Sequence, residues 1–373
     1  MSALSHHHSA IATLPAPFVL ECGRSLAELR IAYQSWGKLS ASRDNVILLC
    51  HALTGSAAAA GIGPDGRAGW WDDLIGPGRA LDTNRYQIIC SNIIGSCYGS
   101  TGPGSINPDT GVPYGNDFPQ LTIRDMVRAQ RLLLNHVGIR RVHCVVGGSM
   151  GGMQILEWGL LFPDDVDLLI PIATAAQHSP WAVGFNAIAR EAIALGAAAG
   201  DVSAGLRLAR KVAMMTYRGS QEFAERFGRK RSSNHPLHLD ETFAVESWLE
   251  HHGQQLAQRF TPESFNVITR AMDQHDVALG RGTLRGALGL ISQPTLCIGI
   301  SSDVLYPPHE QQQIAQLIPN ARYAELGSPF GHDAFLIEFA QLQNIIEDFL
   351  RLNSANVCQS HTTTLSTTTT LPA

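Results

Sequence analysis

The sequence is short of features that would set it apart from ordinary soluble enzymes. It has no C-x-x-C pair, and its seven cysteines, at positions 22, 50, 90, 97, 144, 297 and 358, are an odd number. This argues against a disulfide framework or a zinc ribbon and fits a reduced, cytosolic interior. Cys50, Cys90, Cys144 and Cys297 fall in strand-like apolar runs, where a free thiol packs as a small hydrophobe. No uncharged apolar run reaches the ~18 residues that a membrane span needs. The N-terminus lacks a basic stretch followed by an apolar one, so no secretory signal is expected. Charge is thin as well: 16% of residues are charged, 27 basic against 32 acidic, for a net charge of −5. Nucleic acid is not an expected partner, because phosphate binding needs a concentrated basic face. The one basic cluster, Arg226, Arg229, Lys230 and Arg231, reads first as a solvated helix end or loop and second as a contact for a phosphorylated substrate.

What is present is a large apolar fraction, 45% of 373 residues, enough for a buried sheet and for one large domain with an insertion, or two domains. Residues 1–14 and the Ser/Thr-rich residues 353–373 read as disordered tails. The run His6, His7 and His8 is not expected to bind a metal, because adjacent residues on a tail do not converge on an ion. Between the tails, short β-like runs alternate with helical patterns, the mark of a mostly parallel sheet covered by helices. The inner strands are expected at 45–51, 86–93, 142–149, 167–173 and 294–303, with FVLECG and LAELRIAYQSWG as an antiparallel pair at the edge. Helices fit 122–136, 150–162 and 334–350. From 174 to 290 the pattern is helical, which predicts an inserted lid splitting a core of residues 15–173 and 291–352. Met214, Met215, Phe223, Phe227, Phe243 and Trp248 are its expected apolar interior.

The strongest local signal is VHCVVGGSMGGMQILEW, which sets G-x-S-x-G (Gly147, Ser149, Gly151) between an apolar strand and a helix. This is the nucleophile-elbow context of an α/β-hydrolase fold. The backbone N–H of Met150 then faces the place where an oxyanion would form, with the helix N-terminus behind it. A serine hydroxyl needs a base, and the base needs an acid to hold its tautomer. The chain order of this fold is Ser, acid, His: strand PTLCIGISSD ends at Asp303, and ELGSPFGHDAFL sets His332 on a glycine-flanked loop. The second oxyanion donor is expected in HALTGSAAAAG, at the Leu53 N–H, with His51 holding that loop.

Taken together, AYQSWGKL, HALTG, NIIGSCYGSTGPGSINPDTG, DFPQLTIRDMVRAQRLLL, GGSMGGMQILEW, SSDVLYPP and GHDAFL resemble the homoserine O-acetyltransferase family and cover most of residues 30–340. The resemblance implies acetyl transfer from acetyl-CoA, a co-substrate and not a cofactor, through Ser149 to an amino-acid hydroxyl in methionine biosynthesis. It implies a cytoplasmic homodimer whose partners are small-molecule substrates, with no metal, nucleic acid or membrane. It also carries over Leu53 and Met150 as oxyanion donors, and Arg218 and Asp333 as substrate-binding residues. Succinyl-CoA as donor, serine as acceptor, or plain ester hydrolysis are the alternatives. The sequence departs from the family pattern at EAIALGAAAGDVSAG, where a longer stretch is usual, and at Gly219, where Ser is frequent.

Overall fold

The computed structural model of the chain describes residues 6–63, 66–231 and 242–364, with side chains up to residue 353. Eight strands form one sheet: β1 (His8–Leu14), β2 (Leu29–Trp36), β3 (Val46–Leu49), β4 (Gln87–Ser91), β5 (Val142–Gly148), β6 (Val166–Ile172), β7 (Thr295–Ile300) and β8 (Ala321–Leu326). Their order is β1-β2-β4-β3-β5-β6-β7-β8. β1 and β2 enter antiparallel, and from β4 onward every neighbour is parallel. Every residue of β3, β5, β6 and β7 is buried, because helices cover both faces of the parallel part. Two such strands therefore carry their chemistry only where they end.

Helices α1 (Ile123–His136) and α2 (Met150–Leu161) lie in the core. Thr122 and Asp125 start α1 as a reciprocal capping box, which satisfies two N–H groups of the first turn. Between β6 and β7 every element among the described residues is a helix: α3 (Pro180–Ala198), α4 (Val202–Tyr217), α5 (Ser220–Arg226), α6 (Ala244–Ala257), α7 (Pro262–Asp273) and α8 (Leu284–Gly289). The chain then returns to the sheet and continues through α9 (Pro308–Leu317) and α10 (Phe339–Thr364). The short EAIALGAAAGDVSAG segment makes the α3–α4 turn. A Cβ on Gly205 would stand 2.6 Å from the Ala192 carbonyl, so the two helices cross closely on small residues.

Several expectations need correcting. The expected disordered tail 1–14 contains β1: Ala12 and Leu14 bury their side chains, while His7 stacks on Trp36, with ring centroids 5.7 Å apart. The antiparallel partner of LAELRIAYQSWG is therefore residues 8–14 and not FVLECG, whose Phe18–Val19 pairs only with Ser25–Leu26. The last helix starts at Phe339, because Gly331–Leu336 forms a tight 3-10 turn. Its backbone runs on to Thr364, inside the expected second tail, and residues 365–373 of that tail lie outside the described residues. β8 was not anticipated at all.

Candidate active site

β5 ends in the turn that carries Ser149, at φ 60° and ψ −125°. A non-glycine residue in that region is strained, and it holds only where its surroundings over-determine it. Here the Ser149 N–H donates to the Ile172 carbonyl at 2.9 Å, and the Thr174 hydroxyl donates to the Ser149 carbonyl at 2.8 Å. The flanking glycines are required by close approach: a Cβ on Gly147 or Gly151 would stand 2.1 Å from the Cys50 carbonyl. The elbow is thus pressed onto the end of β3, where the loop Cys50–Leu53 begins. Met150 opens α2, so its N–H belongs to the first-turn groups that have no acceptor within the helix.

Asp303, 4% exposed, follows β7. Its Oδ1 accepts from the N–H groups of Leu305 (2.8 Å) and Tyr306 (2.9 Å), which fixes the carboxylate plane. Its Oδ2 lies 2.7 Å from His332 Nδ1, so the ring donates from Nδ1 and keeps Nε2 as its basic nitrogen. The His332 ring is surrounded by Tyr306, Phe335 and Tyr217, with centroids 5.2, 5.6 and 5.7 Å away. A Cβ on Gly148 would stand 2.6 Å from the Phe335 ring, so the His332 turn rests on the elbow. Burial pulls the His332 pKa down, but the charge and hydrogen bond of Asp303, with Asp333 beyond, outweigh it and leave the group above the ordinary 6.5.

His51 is buried where the sequence placed it, in a holding position. Its Nδ1 meets the Ala52 carbonyl at 2.8 Å, and its Nε2 accepts from the Ile93 N–H at 3.2 Å. Burial lowers its pKa to about 4, so the ring is neutral.

Arg218 and Asp333 come together: Arg218 Nε is 3.1 Å from Asp333 Oδ2, and the Arg218 guanidinium also lies 3.9 Å from Glu222. Arg218 ends α4, and the next residue explains the departure at position 219. A Cβ on Gly219 would stand 2.2 Å from the Pro329 carbonyl, so in this chain the turn after α4 sits directly on the loop leading to His332. Burial pushes the Asp333 carboxyl up, against the opposing pull of Arg218, Arg210 and His332. A cleft of about 780 Å³ is lined among others by Ala52, Thr54, Arg210, Arg259 and by Gly148 and Phe335, chain neighbours of the elbow serine and of His332, while Ser149, His332, Arg218 and Asp333 are not among its lining residues. That is room for a small ligand.

Some contributors were not found from sequence. Ser302 Oγ donates to the Ser328 carbonyl (2.6 Å) and accepts from the Gly331 N–H (2.9 Å), tying the Asp303 loop to the His332 loop. Arg210 lies over the Tyr217 ring at 5.3 Å, and Arg259 holds Tyr98 Oη at 2.6 Å and the Thr54 carbonyl at 2.7 Å. Only the SSD run ahead of the acid carried any advance signal. Among the described residues no group of three or more His, Cys, Asp or Glu could hold a metal, and no helix is long and apolar enough to cross a membrane.

The strand order, the strained elbow serine and the buried His–Asp pair define an α/β-hydrolase-fold protein, and the family model for that fold matches residues 45–339. The chain is 48% identical over 344 residues to a homoserine O-acetyltransferase of Trichormus variabilis, covering 90% of this chain and 92% of that one. It is also similar to the crystal structure of homoserine O-acetyltransferase from Bacillus anthracis, with TM-score 0.86, 29% identity and coverage of 92% and 97%. The structure of esterase E22 is similar too, with TM-score 0.83, 27% identity and coverage of 92% and 100%. The chain belongs to the homoserine O-acetyltransferase family.

Proposed function

We propose that this chain transfers the acetyl group of acetyl-CoA to the hydroxyl of L-homoserine by a ping-pong route through acetyl-Ser149. His332 Nε2 takes the proton of Ser149 Oγ as that oxygen attacks the thioester carbonyl. The resulting oxyanion faces the N–H groups of Met150 and Leu53. Collapse breaks the C–S bond, and the leaving thiolate takes the proton from His332. Homoserine then gives its hydroxyl proton to His332 and attacks the acetyl-serine, and Ser149 Oγ leaves with that proton. Asp303 holds the imidazole tautomer and steadies the imidazolium formed in each half.

The observation that carries transfer over hydrolysis is the Arg218–Asp333 pair beside His332. Opposite charges 3.1 Å apart have no use for water, but they complement the two ends of an amino acid: the guanidinium takes the carboxylate and Asp333 the ammonium. Esterase E22 supports the competing reading, since a similar scaffold bears the name of a hydrolase. A thiol-release assay with acetyl- or succinyl-CoA against homoserine or serine decides among the alternatives. Acetyl-CoA with homoserine is expected to turn over fastest, and equal CoA release without an amino acid would mean hydrolysis.

The finer settings of this reading are a cytoplasmic homodimer. Supporting the dimer, α3 exposes Trp181, Ile188 and Leu195 at heptad spacing, and α4 exposes Leu208 and Met215. Sedimentation at micromolar concentration is expected to give the mass of two chains, and a single-chain mass would contradict it.

A further inference from the structure

Behind the elbow runs a line of buried polar side chains that the reaction above does not use. Trp158 Nε1 donates to Gln130 Oε1 at 2.8 Å, and Gln130 Nε2 donates to Gln154 Oε1 at 2.7 Å. Gln154 Nε2 ends the line on two backbone carbonyls, those of His51 and Met150, each at 3.3 Å. Trp158 and Gln154 are fully buried, and Gln130 and His51 nearly so. Chemistry fixes the direction of the line: an indole N–H can only donate, so Gln130 must turn its oxygen toward Trp158 and its NH₂ toward Gln154. Gln154 must then accept with its oxygen and donate with its NH₂, as the two carbonyls require.

The placement of those carbonyls gives the line its meaning. One belongs to Met150, and the other lies two residues before Leu53 in the loop after β3. A single carboxamide therefore ties together the two backbone segments that carry the N–H groups of Leu53 and Met150, the oxyanion donors of the proposed reaction. His51 fastens the loop from its other side through Ala52 and Ile93. In an oxyanion hole the donors act because they are already in place, and an error of about 1 Å in placement costs about 10²-fold in rate.

We propose that Gln154 is a positioning residue for the oxyanion hole: its carboxamide, oriented by Gln130 and Trp158, sets the separation of the Leu53 and Met150 N–H groups. The inference rests on the acyl-Ser149 reading. Gln154→Leu keeps the volume but removes both donors and leaves Gln130 Nε2 with only the Cys50 sulfur, 3.9 Å away. It should lower kcat by about 100-fold, the size of losing one oxyanion donor, with the KM of either substrate nearly unchanged.

The test is the carbonyl stretch of acetyl-Ser149, read by isotope-edited difference infrared spectroscopy after loading with acetyl-CoA labelled by ¹³C at the carbonyl. Hydrogen bonds in the hole hold the ester band at low wavenumber, and in Gln154→Leu it should move up toward that of a free ester. Trp158→Phe keeps an aromatic ring but removes the donor that orients the line. It should shift the band the same way with a smaller loss of kcat, about 10-fold, and it serves if Gln154→Leu fails to fold. A labelled wild type, with an unmoved band in whichever variants fold, overturns the positioning role alone. A wild type that takes up no label overturns the acyl-serine reading and this role with it.

Discussion

The two walls of the site are built differently. On the sheet side Ser149, Asp303 and His332 are held by backbone hydrogen bonds and by contacts that leave no room for a Cβ, such as Gly147 and Gly151 against the Cys50 carbonyl. On the insertion side Arg210, Arg218 and Arg259 are held by charges, rings and single carbonyls. Backbone contacts cannot be rearranged without moving a strand, whereas a guanidinium can exchange one carboxylate for another. In the proposed reaction the sheet wall sets the reaction type, and Arg218 of the insertion wall, with Asp333 beside His332, sets the choice of acceptor.

Substitutions on the sheet wall should therefore remove both half-reactions, and those on the insertion wall only one. Ser149→Ala is expected to lower turnover by about 10⁶-fold with both substrates while the protein stays folded. Full activity in a folded variant would break the comparison at its base. Asp303→Asn should lower kcat by about 10⁴-fold, because the imidazole then takes the wrong tautomer. Stopped-flow CoA release would show the loss already in the donor half.

On the other wall, Arg218→Ala should weaken kcat/KM for homoserine by roughly 30-fold to a few thousandfold, the cost of truncating one partner of a desolvated charge pair. The CoA burst without acceptor should survive. Equal loss of burst and turnover would put Arg218 in the service of the donor or the fold. At the seam between the walls, Gly219→Ala forces a Cβ against the Pro329 carbonyl and should cost about 1–3 kcal/mol of stability, read as a shift in denaturant midpoint.

The smallest effect concerns pH. His332 must be neutral to act as base, so activity falls as pH drops through its pKa, which lies above the ordinary value. Asp333 is one of the groups that raise it. Asp333→Asn removes that contribution, so the acid limb of the CoA burst rate should move to lower pH. A limb that stays in place or moves up would contradict the assigned coupling.

Much of the sheet wall was legible in advance because its signals are local. Apolar runs marked β3 to β7, and the elbow motif, the strand end that carries Asp303 and the glycine-flanked loop that carries His332 are each marked within a few consecutive residues. β8 escaped because its ARYAEL is an edge strand with mostly part-exposed residues and no apolar run. β1 escaped because small residues, Ala10 and Ala12, carry its alternation beside a histidine run. The insertion wall was less readable for a physical reason: its contacts join residues more than 100 positions apart, as Arg218 with Asp333 and Arg259 with Tyr98. Gln154 was hidden the same way, since on α2 it looks like any helical residue until the His51 carbonyl arrives from β3.

The measurement that tests the account most directly is a rapid quench of the enzyme with acetyl-CoA alone, followed by peptide mass spectrometry and then by addition of homoserine. The account expects one burst of CoA per site, an acetyl group on the peptide bearing Ser149, and its discharge as O-acetylhomoserine when the amino acid arrives. Steady release of CoA and acetate without an acceptor, or an enzyme that never carries acetyl on Ser149 while still making product, would contradict it.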